Sequence, residues 1–167
     1  MKRFLMIAAA LLPLMLMAQA RIGIVNSQQL FDLMPEKAAA EAQLKALSDR
    51  YHAEYELLQH DFDKKYADYQ TVAADASMPE TIKERRVQEL QESDKKMREF
   101  ERRAADDIAA QREALTKPIT DKIQATIRTV SEHNGLDLVF DTAVTPVAYT
   151  GPNIIDITDE VRALLDR

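Results

Sequence analysis

The sequence predicts an α+β fold that is mainly helical, with a long antiparallel helical hairpin, or coiled-coil tentacle, attached to a small β-sheet body. Residues 36–74 contain neither Gly nor Pro, and their apolar side chains recur with helical spacing. A second segment with helical spacing follows a break at residues 75–79. Short runs rich in β-branched residues stand on either side of the two helical segments, which places the strands at the ends of the folded chain.

The outgoing helix of the hairpin follows an eleven-residue repeat, in which apolar side chains are spaced 4, 3 and 4 residues apart. An average of about 3.67 residues per turn gives a nearly straight or slightly right-handed supercoil. The repeat consists of Ala40, Leu44, Leu47, Tyr51, Tyr55, Leu58, Phe62, Tyr66, Tyr69 and Ala73. At 1.5 Å per residue each helix would be about 60 Å long, which is longer than a compact fold needs.

The returning helix has its own apolar face, which includes Phe100, Ala104, Ile119 and Ile123. Pro118 lacks an amide hydrogen and crowds the preceding turn, so we expect a kink there that would act as a hinge. Gly135 is placed to end the helix in a left-handed turn.

Three short segments predict the strands of the body: residues 21–26 (RIGIVN), 136–141 (LDLVFD) and 146–150 (PVAYT). A short amphipathic helix follows from about residue 156. A sheet of about three short strands has unpaired edges and a thin core. We therefore expect several copies of the chain to pool their strands in one closed body.

The first twenty residues have the pattern of a cleavable signal peptide. Lys2 and Arg3 precede an apolar stretch that is shorter than a transmembrane helix of about 20 residues. Small residues in Ala18-Gln19-Ala20 suit signal peptidase, so the exported soluble chain would begin at Arg21. The sequence then divides into a signal peptide (1–20), a body (21–35 and 118–167) and a hairpin (36–117) with its tip near 75–80.

Charge and composition argue against several classes of protein. Without Lys2 and Arg3 the chain carries 20 basic and 28 acidic residues, a net charge of −8. Nucleic-acid-binding proteins present basic surfaces, so no nucleic acid partner is expected. The chain has no cysteine, and its three glycines form no phosphate-binding loop. We expect no cofactor, no catalytic residues and no enzymatic activity.

One helix face carries His52, Glu56 and His60 at positions i, i+4 and i+8, a spacing that could hold a metal ion. Exposed charged helix faces produce such spacings easily, and we interpret the three residues as a solvated face. The sequence therefore predicts no metal site.

Both ends of the chain resemble the Skp/OmpH family of periplasmic chaperones. RIGIVNSQQLF at residues 21–31 is similar to the family's first strand and helix. NGLDLVFDTAVTPVAYTGPNIIDITDEVRALL at residues 134–165 is similar to the family's strand-loop-strand-helix ending. It shares the LDLV-D core, the VAY strand and the DIT opening of the final helix. In the arms the resemblance is compositional only.

The resemblance implies a homotrimeric holdase of the periplasm that works without ATP and binds unfolded outer-membrane β-barrel proteins in a cavity between three tentacles. The body would be a β-barrel shared by three subunits. We expect its interior to be filled by Ile22, Ile24, Leu138, Phe140, Val147 and Tyr149. The best-known relatives are strongly basic and this chain is acidic, so contact with lipopolysaccharide or a membrane surface stays open.

The candidate client-binding residues are Tyr51, Tyr55, Phe62, Tyr66, Tyr69, Met78, Lys83, Arg85 and Arg86. Two interpretations of the aromatic members are open, because their spacing is also the spacing of the hairpin core. In the other interpretation some of the rings face the cavity and offer apolar surface with polar tips to clients. The residues near the tip would grip clients or would simply be solvated.

An alternative function also fits a signal peptide and long helical arms. A periplasmic coiled-coil scaffold or adaptor would bind one folded envelope partner rather than many unfolded chains. It would leave the resemblance at both ends of the sequence unexplained.

Overall fold

The computed structural model describes residues 20–166, so the predicted signal peptide lies outside the described residues except for Ala20. The predicted fold class is confirmed, because the chain is mainly helical with two long helices and a small sheet. Its elements are β1 (Ile22–Val25), α1 (Ser27–Leu33), α2 (Pro35–Ala74), α3 (Glu80–His133), β2 (Leu138–Asp141), β3 (Ile155–Asp156) and α4 (Thr158–Leu165).

The chain separates into two compact units. The first contains the residues up to Asp32 and those from Lys122 onward, and the second is Leu33–Asp121. Helix α3 belongs partly to each unit and continues through Pro118. Near this proline the Thr120 hydroxyl donates a hydrogen bond of 2.8 Å to the carbonyl oxygen of Lys117. The predicted hinge at Pro118 stays a prediction.

The second unit is an antiparallel pair formed by α2 and the first part of α3. Pro35 stands in the first turn of α2, where a missing amide hydrogen costs nothing, and Met34 before it is extended. The pairing is antiparallel because Tyr51 bonds Asp107, whereas Asp61, further along α2, approaches Ser93, which is earlier in α3.

An aromatic cluster joins the two helices near the middle of the hairpin. The ring centroids of Tyr51 and Phe100 are 5.7 Å apart with planes at 71°, and those of Tyr55 and Phe100 are 6.5 Å apart. The Tyr51 hydroxyl donates to the Asp107 carboxylate at 2.7 Å, and this bond raises the pKa of Tyr51. A bond to Glu101 likewise raises the pKa of Tyr55. Phe100 is 7% exposed, so the cluster forms part of the hairpin core.

The apolar repeat of α2 meets α3 along most of its length. Ala40 is buried, and the following members from Leu44 to Phe62 are at least half-buried. Near the end of the helix Tyr66 and Ala73 are exposed instead. These two positions lie where α2 approaches the turn at residues 75–79, so the repeat defines the core better in the middle of the hairpin than at its tip.

The first unit contains a three-stranded sheet in the order β2-β1-β3, with both pairs parallel. Strand β1 is central, and its Ile22 and Ile24 stand beside Leu138 and Phe140 of β2. On the other side Gly23 pairs with Ile155 of β3. A side chain at Gly23 would clash with Leu136, because an added Cβ would lie 2.7 Å from its Cδ1 atom.

The predicted strand at residues 146–150 is wrong. The third strand is β3, at Ile155–Asp156, and residues 146–150 form neither helix nor strand. Pro146 has no amide hydrogen to donate to a ladder, and the free edge of β1 is taken by β3. The amide of Ile157 completes this edge by donating a bond of 3.0 Å to the carbonyl oxygen of Ile24.

The core of the first unit lies between one face of the sheet and the helices around it. Its largest fully buried side chains are Val25, Leu30, Ile157 and Val161. Gly135 ends α3 as predicted, with φ at 60°. The amide of Leu136 donates to the Ser131 carbonyl oxygen at 2.9 Å, and that of Gly135 donates to Glu132 at 3.1 Å. This is the Schellman arrangement, which satisfies the last carbonyl groups of a helix.

The carboxylate of Asp141 connects the end of β2 to the start of α1. It accepts hydrogen bonds from the amide of Ser27 at 3.1 Å, from the Ser27 hydroxyl, and from the amide of Ala143 at 3.0 Å. Partial burial raises the pKa of Asp141, but these hydrogen bonds outweigh it and hold the pKa below its usual value. The charged carboxylate therefore stabilises the folded state.

We predict that Asp141→Asn lowers the free energy of unfolding by about 1 kcal/mol at pH 7, since the amide side chain offers one acceptor oxygen and no charge. The folded-state pKa is depressed, so this stabilisation is present above the unfolded pKa of about 4 and is lost as the pH falls through the folded value. Urea unfolding at pH 7 and pH 3 measures the free energy of unfolding of both proteins.

The matched control is Asp106→Asn, which makes the same change on an exposed position of α3. Its effect should be small at both pH values. If the gap between wild type and Asp141→Asn is as large at pH 3 as at pH 7, the charge of Asp141 does not contribute to stability.

Candidate functional site

One face of the sheet carries four apolar side chains that are exposed or half-buried in the single chain, and Asp156 of β3 stands at its edge beside Ile24. The register places Ile22 beside Leu138 and Ile24 beside Phe140, and paired residues of neighbouring strands point to the same face. Leu138 is 49% exposed and Phe140 is 40% exposed. We call these four side chains the open sheet face. The opposite face carries Val25, which is buried in the core of the unit.

The segment between β2 and β3 adds further exposed apolar side chains in the same unit. Val144 is 76% exposed, Val147 39% and Tyr149 82%. Val147 and Tyr149 were expected in a strand and lie instead in this irregular segment. A contiguous exposed apolar patch of useful size marks a surface that meets another molecule. On the open sheet face the four apolar residues are neighbours by strand pairing, with Leu138 and Phe140 exposed and Ile22 and Ile24 half-buried.

The structure separates the five aromatic candidates of the hairpin into three kinds. Tyr51 and Tyr55 contact Phe100, and their hydroxyl groups are engaged with acidic side chains of α3. Phe62 and Tyr69 are half-buried. Tyr66 is 47% exposed, and its ring stacks on Phe62 with a centroid distance of 6.4 Å and an interplanar angle of 6°.

Sequence reasoning missed Leu57, which is 73% exposed on α2. It stands next to Leu58, which belongs to the apolar repeat, and it falls outside that repeat itself. A large apolar residue that a helix keeps off its packing face is the signal that could have identified it.

The tip of the hairpin is a turn at residues 75–79 that is closed by its own side chains. The amide and hydroxyl of Ser77 donate to Asp75 Oδ1 at 2.8 and 2.6 Å, which lowers the pKa of Asp75. Met78 is half-buried. The turn is therefore a defined structure, with a half-buried methionine as its apolar side chain.

The basic candidates near the tip all have acidic neighbours. Lys83 Nζ lies 3.9 Å from Glu80 Oε2, Arg85 Nε lies 3.7 Å from Glu89 Oε1, and Arg86 Nη1 lies 2.6 Å from Glu89 Oε2. Each pair joins neighbouring turns of α3. Arg85 and Arg86 share the carboxylate of Glu89, so the cluster is a set of local ion pairs in which two acidic side chains face three basic ones.

An open groove of about 580 Å³ lies between the helices close to the tip. Tyr69 and Ala73 of α2 line it together with Lys83 and Val87 of α3. The groove brings two of the predicted client-binding residues, Tyr69 and Lys83, to one place. It combines apolar surface with charged edges.

The remaining features concern metals and membranes. His52 Nε2 and Glu56 Oε1 are 3.9 Å apart on the surface of α2. Within residues 20–166 there is no group of three or more side chains that could hold a metal ion. In the same part of the chain, no helix has both the length and the apolar character that crossing a membrane requires.

The fold is shared with a solved structure. A crystal structure of a candidate OmpH-like outer membrane chaperone from Caulobacter crescentus CB15 is similar, with a TM-score of 0.67 and 18% sequence identity. The similarity covers 89% of this chain and 85% of that one. No curated protein matches the sequence.

A comparison of the amino-acid sequence with protein families identifies the family. The family model for outer membrane proteins of the OmpH-like type matches residues 21–165. This chain belongs to the OmpH-like family, and the resemblance drawn from its two ends is confirmed.

Proposed function

We propose that this chain is a periplasmic holdase chaperone that works without ATP, binds unfolded outer-membrane β-barrel proteins and prevents their aggregation. Three copies would close their sheets into one body, and the hairpins would enclose the client. The observation that carries this proposal is the family match over residues 21–165, in a chain whose fold is a long hairpin and a small sheet. The proposal includes no catalytic activity and no cofactor.

The open sheet face supports the assembly part of the proposal. Ile22, Ile24, Leu138 and Phe140 lie together on it, and these are four of the six residues expected in the shared body. Covering apolar surface stabilises an assembly by about 25 cal/mol for each Å² removed from water. The core of the unit lies against the other face of the sheet. Contact with another copy would therefore stabilise the sheet by covering the open sheet face.

Exposed apolar groups on the hairpin support the client-binding part. Tyr66 and Leu57 offer exposed side chains, and the groove near the tip offers Tyr69 beside the charged Lys83. Contacts of this kind are individually weak, and several of them on linked arms add through effective concentration. A partner that binds the client's apolar strands more tightly can then displace these weak contacts. Release of the client would therefore need no nucleotide.

Export supports the periplasmic location. The predicted signal peptide would be removed after Ala20, and the remaining chain would carry the net charge of −8 given above. A negatively charged surface disfavours contact with anionic lipid headgroups. We therefore propose a periplasmic location and expect anionic membrane surfaces to bind this chain more weakly than they bind a basic relative.

Light-scattering mass tests the proposed function. The chain Arg21–Arg167 would be measured alone, and again after mixing with an outer-membrane β-barrel protein diluted from urea in the absence of ATP. We expect a trimer whose mass rises by one client while the client stays soluble. A trimer that ignores the unfolded client, and binds a folded envelope protein instead, would favour a coiled-coil scaffold over a chaperone.

We predict that Phe140→Glu dissociates the assembly. A carboxylate on the covered apolar face would be buried without a partner, which costs several kcal/mol, roughly 3–5 by comparison with broken buried pairs. The measurement is light-scattering mass at one protein concentration. Leu57→Glu is the matched control, because it places the same charge at an exposed apolar position of the other unit. If Phe140→Glu keeps the mass of the wild type, the open sheet face is not the assembly interface.

We predict that Tyr66→Ser weakens client binding by roughly threefold to tenfold, since a single aromatic contact contributes about 0.5–1.5 kcal/mol. The hairpin should lose little stability, because the ring is 47% exposed and its stacking contact is with Phe62 of the same helix. Fluorescence titration of a labelled unfolded client measures the dissociation constant. Val144→Ser removes an exposed apolar side chain from the other unit and serves as control. Equal affinities for wild type and Tyr66→Ser would remove this residue from the client-binding surface.

A further inference from the structure

Asp137 forms two hydrogen bonds with the backbone of Arg21, the residue that precedes β1. The amide nitrogen of Arg21 donates to Asp137 Oδ2 at 2.8 Å. The amide nitrogen of Asp137 donates to the carbonyl oxygen of Arg21, also at 2.8 Å. The carboxylate of Asp137, far along the sequence, therefore accepts a hydrogen bond from the Arg21 nitrogen. This nitrogen belongs to the peptide bond at which the predicted signal peptide would be cleaved.

The position of Asp137 is fixed by the structure around it. The left-handed turn at Gly135 ends α3 and reverses the chain, and β2 begins at Leu138 immediately after Asp137. The parallel register then sets Leu138 beside Ile22, the residue that follows Arg21. The carboxylate thus lies at the Arg21 nitrogen as a consequence of the strand pairing itself.

We propose that cleavage after Ala20 turns this hydrogen bond into an ion pair between the new N-terminal ammonium group of Arg21 and the carboxylate of Asp137. The processed chain would then hold its central strand more firmly than the precursor does. This inference rests on the export that is part of the proposed function. It adds that Asp137 recognises the product of processing.

The chemical step is an ordinary hydrolysis of the Ala20–Arg21 peptide bond by a signal peptidase with one water molecule. The hydroxyl group of water goes to the carbonyl carbon of Ala20, and a hydrogen goes to the nitrogen of Arg21. The resulting amine takes up a further proton from solvent at neutral pH, because an α-amino group loses that proton only near pH 8.

Cleavage changes both the number of hydrogens and the charge at this nitrogen. A neutral amide has one hydrogen to donate, whereas an ammonium group has three and carries a full positive charge. The bond to the Asp137 carboxylate is already strengthened by one charge in the precursor, and cleavage adds the attraction of a second, opposite charge. Both partners are exposed, so the gain is that of a surface ion pair and is weakened by salt.

The added stability would act on β1, the central strand of the sheet. Strand β1 pairs with both β2 and β3, and it supplies Ile22 and Ile24 to the open sheet face. A looser start of β1 in the precursor would weaken a surface that we propose for assembly. Processing would in this way favour the assembled chaperone after export.

Other charged groups belong to the segments that meet here. They are the guanidinium group of Arg21 itself, Glu132 and His133 in the last turn of α3, and Asp156 on β3. All of them are present in the precursor and in the processed chain. A comparison of the two forms therefore cancels their contributions and leaves the position of the N-terminal ammonium group as the difference, on Arg21 in one form and on an earlier residue in the other.

The test is a double-mutant cycle on four proteins. The first pair is Arg21–Arg167, prepared with Arg21 as its first residue, and the same chain extended by Gln19 and Ala20. The second pair carries Asp137→Asn in both forms; the asparagine oxygen can still accept from an amide, so a hydrogen bond stays possible while the negative charge is removed. Urea unfolding at pH 6.5, low salt and one protein concentration gives the unfolding equilibrium constants.

We expect the unfolding constant of the chain that begins at Arg21 to be about twofold to fivefold smaller than that of the extended chain, the size of an exposed ion pair. The ratio should approach one with Asp137→Asn, in about 0.5 M salt, and above about pH 9, where the amino group has lost its proton. Equal constants for the two wild-type forms would overturn the inference. A ratio that persists with Asp137→Asn would do so as well, since it would come from the added residues alone.

N-terminal sequencing of the exported protein separates this inference from the proposed function. A first residue other than Arg21 overturns the ion pair and leaves the holdase activity to be judged by client binding. A first residue of Arg21 with a positive cycle supports the inference even where the purified chain fails to bind unfolded clients.

Discussion

The parallel pairing of β1 with β2 is the constraint on which the rest of the structure depends. Two parallel neighbours cannot be joined by a tight turn, and the chain must make a long crossover between them. Here the crossover contains α2 and α3, which run out and back in antiparallel contact. Because the hairpin is the connection between two strands of one sheet, its two helices begin and end at the same small unit.

The same pairing decides which surfaces are covered. The short strands give the unit one buried face, built on Val25, Ile157 and Val161, and leave Ile22, Ile24, Leu138 and Phe140 on the other. An apolar sheet face left over in this way is a physical reason for self-association, independent of any resemblance to other proteins.

Much of this architecture could be predicted from the sequence, and the reasons are particular. The eleven-residue repeat identified α2 because apolar spacing is a strong signal over forty residues. Gly135 identified the end of α3 because a left-handed residue there is easy for glycine alone. The alternation of Ile22, Ile24, Leu138 and Phe140 placed four residues on one face before the register was known.

The failures have physical causes too. Residues 146–150 alternate like a strand, but Pro146 cannot donate to a ladder, and a two-residue strand such as β3 has no periodicity to detect. Spacing alone could not separate the packed tyrosines of α2 from the exposed one, because all of them belong to the same apolar repeat. Tyr51 and Tyr55 are separated from Tyr66 only by what stands opposite: Phe100, Asp107 and Glu101 for the first two, and solvent for the third.

The acidic partners opposite Tyr51 and Tyr55 limit the apolar surface that the hairpin exposes. Asp107 accepts a hydrogen bond from the Tyr51 hydroxyl, and a bond to Glu101 engages the Tyr55 hydroxyl, so both rings stay at the contact between the helices. The large apolar groups that remain exposed on α2 are few and separated, as Leu57 and Tyr66 illustrate. Under the proposed function each arm would therefore make only a few weak contacts with a client, and the lifetime of the complex would depend on how many form at once. A partner that binds the client's apolar strands more tightly would then displace these contacts one by one.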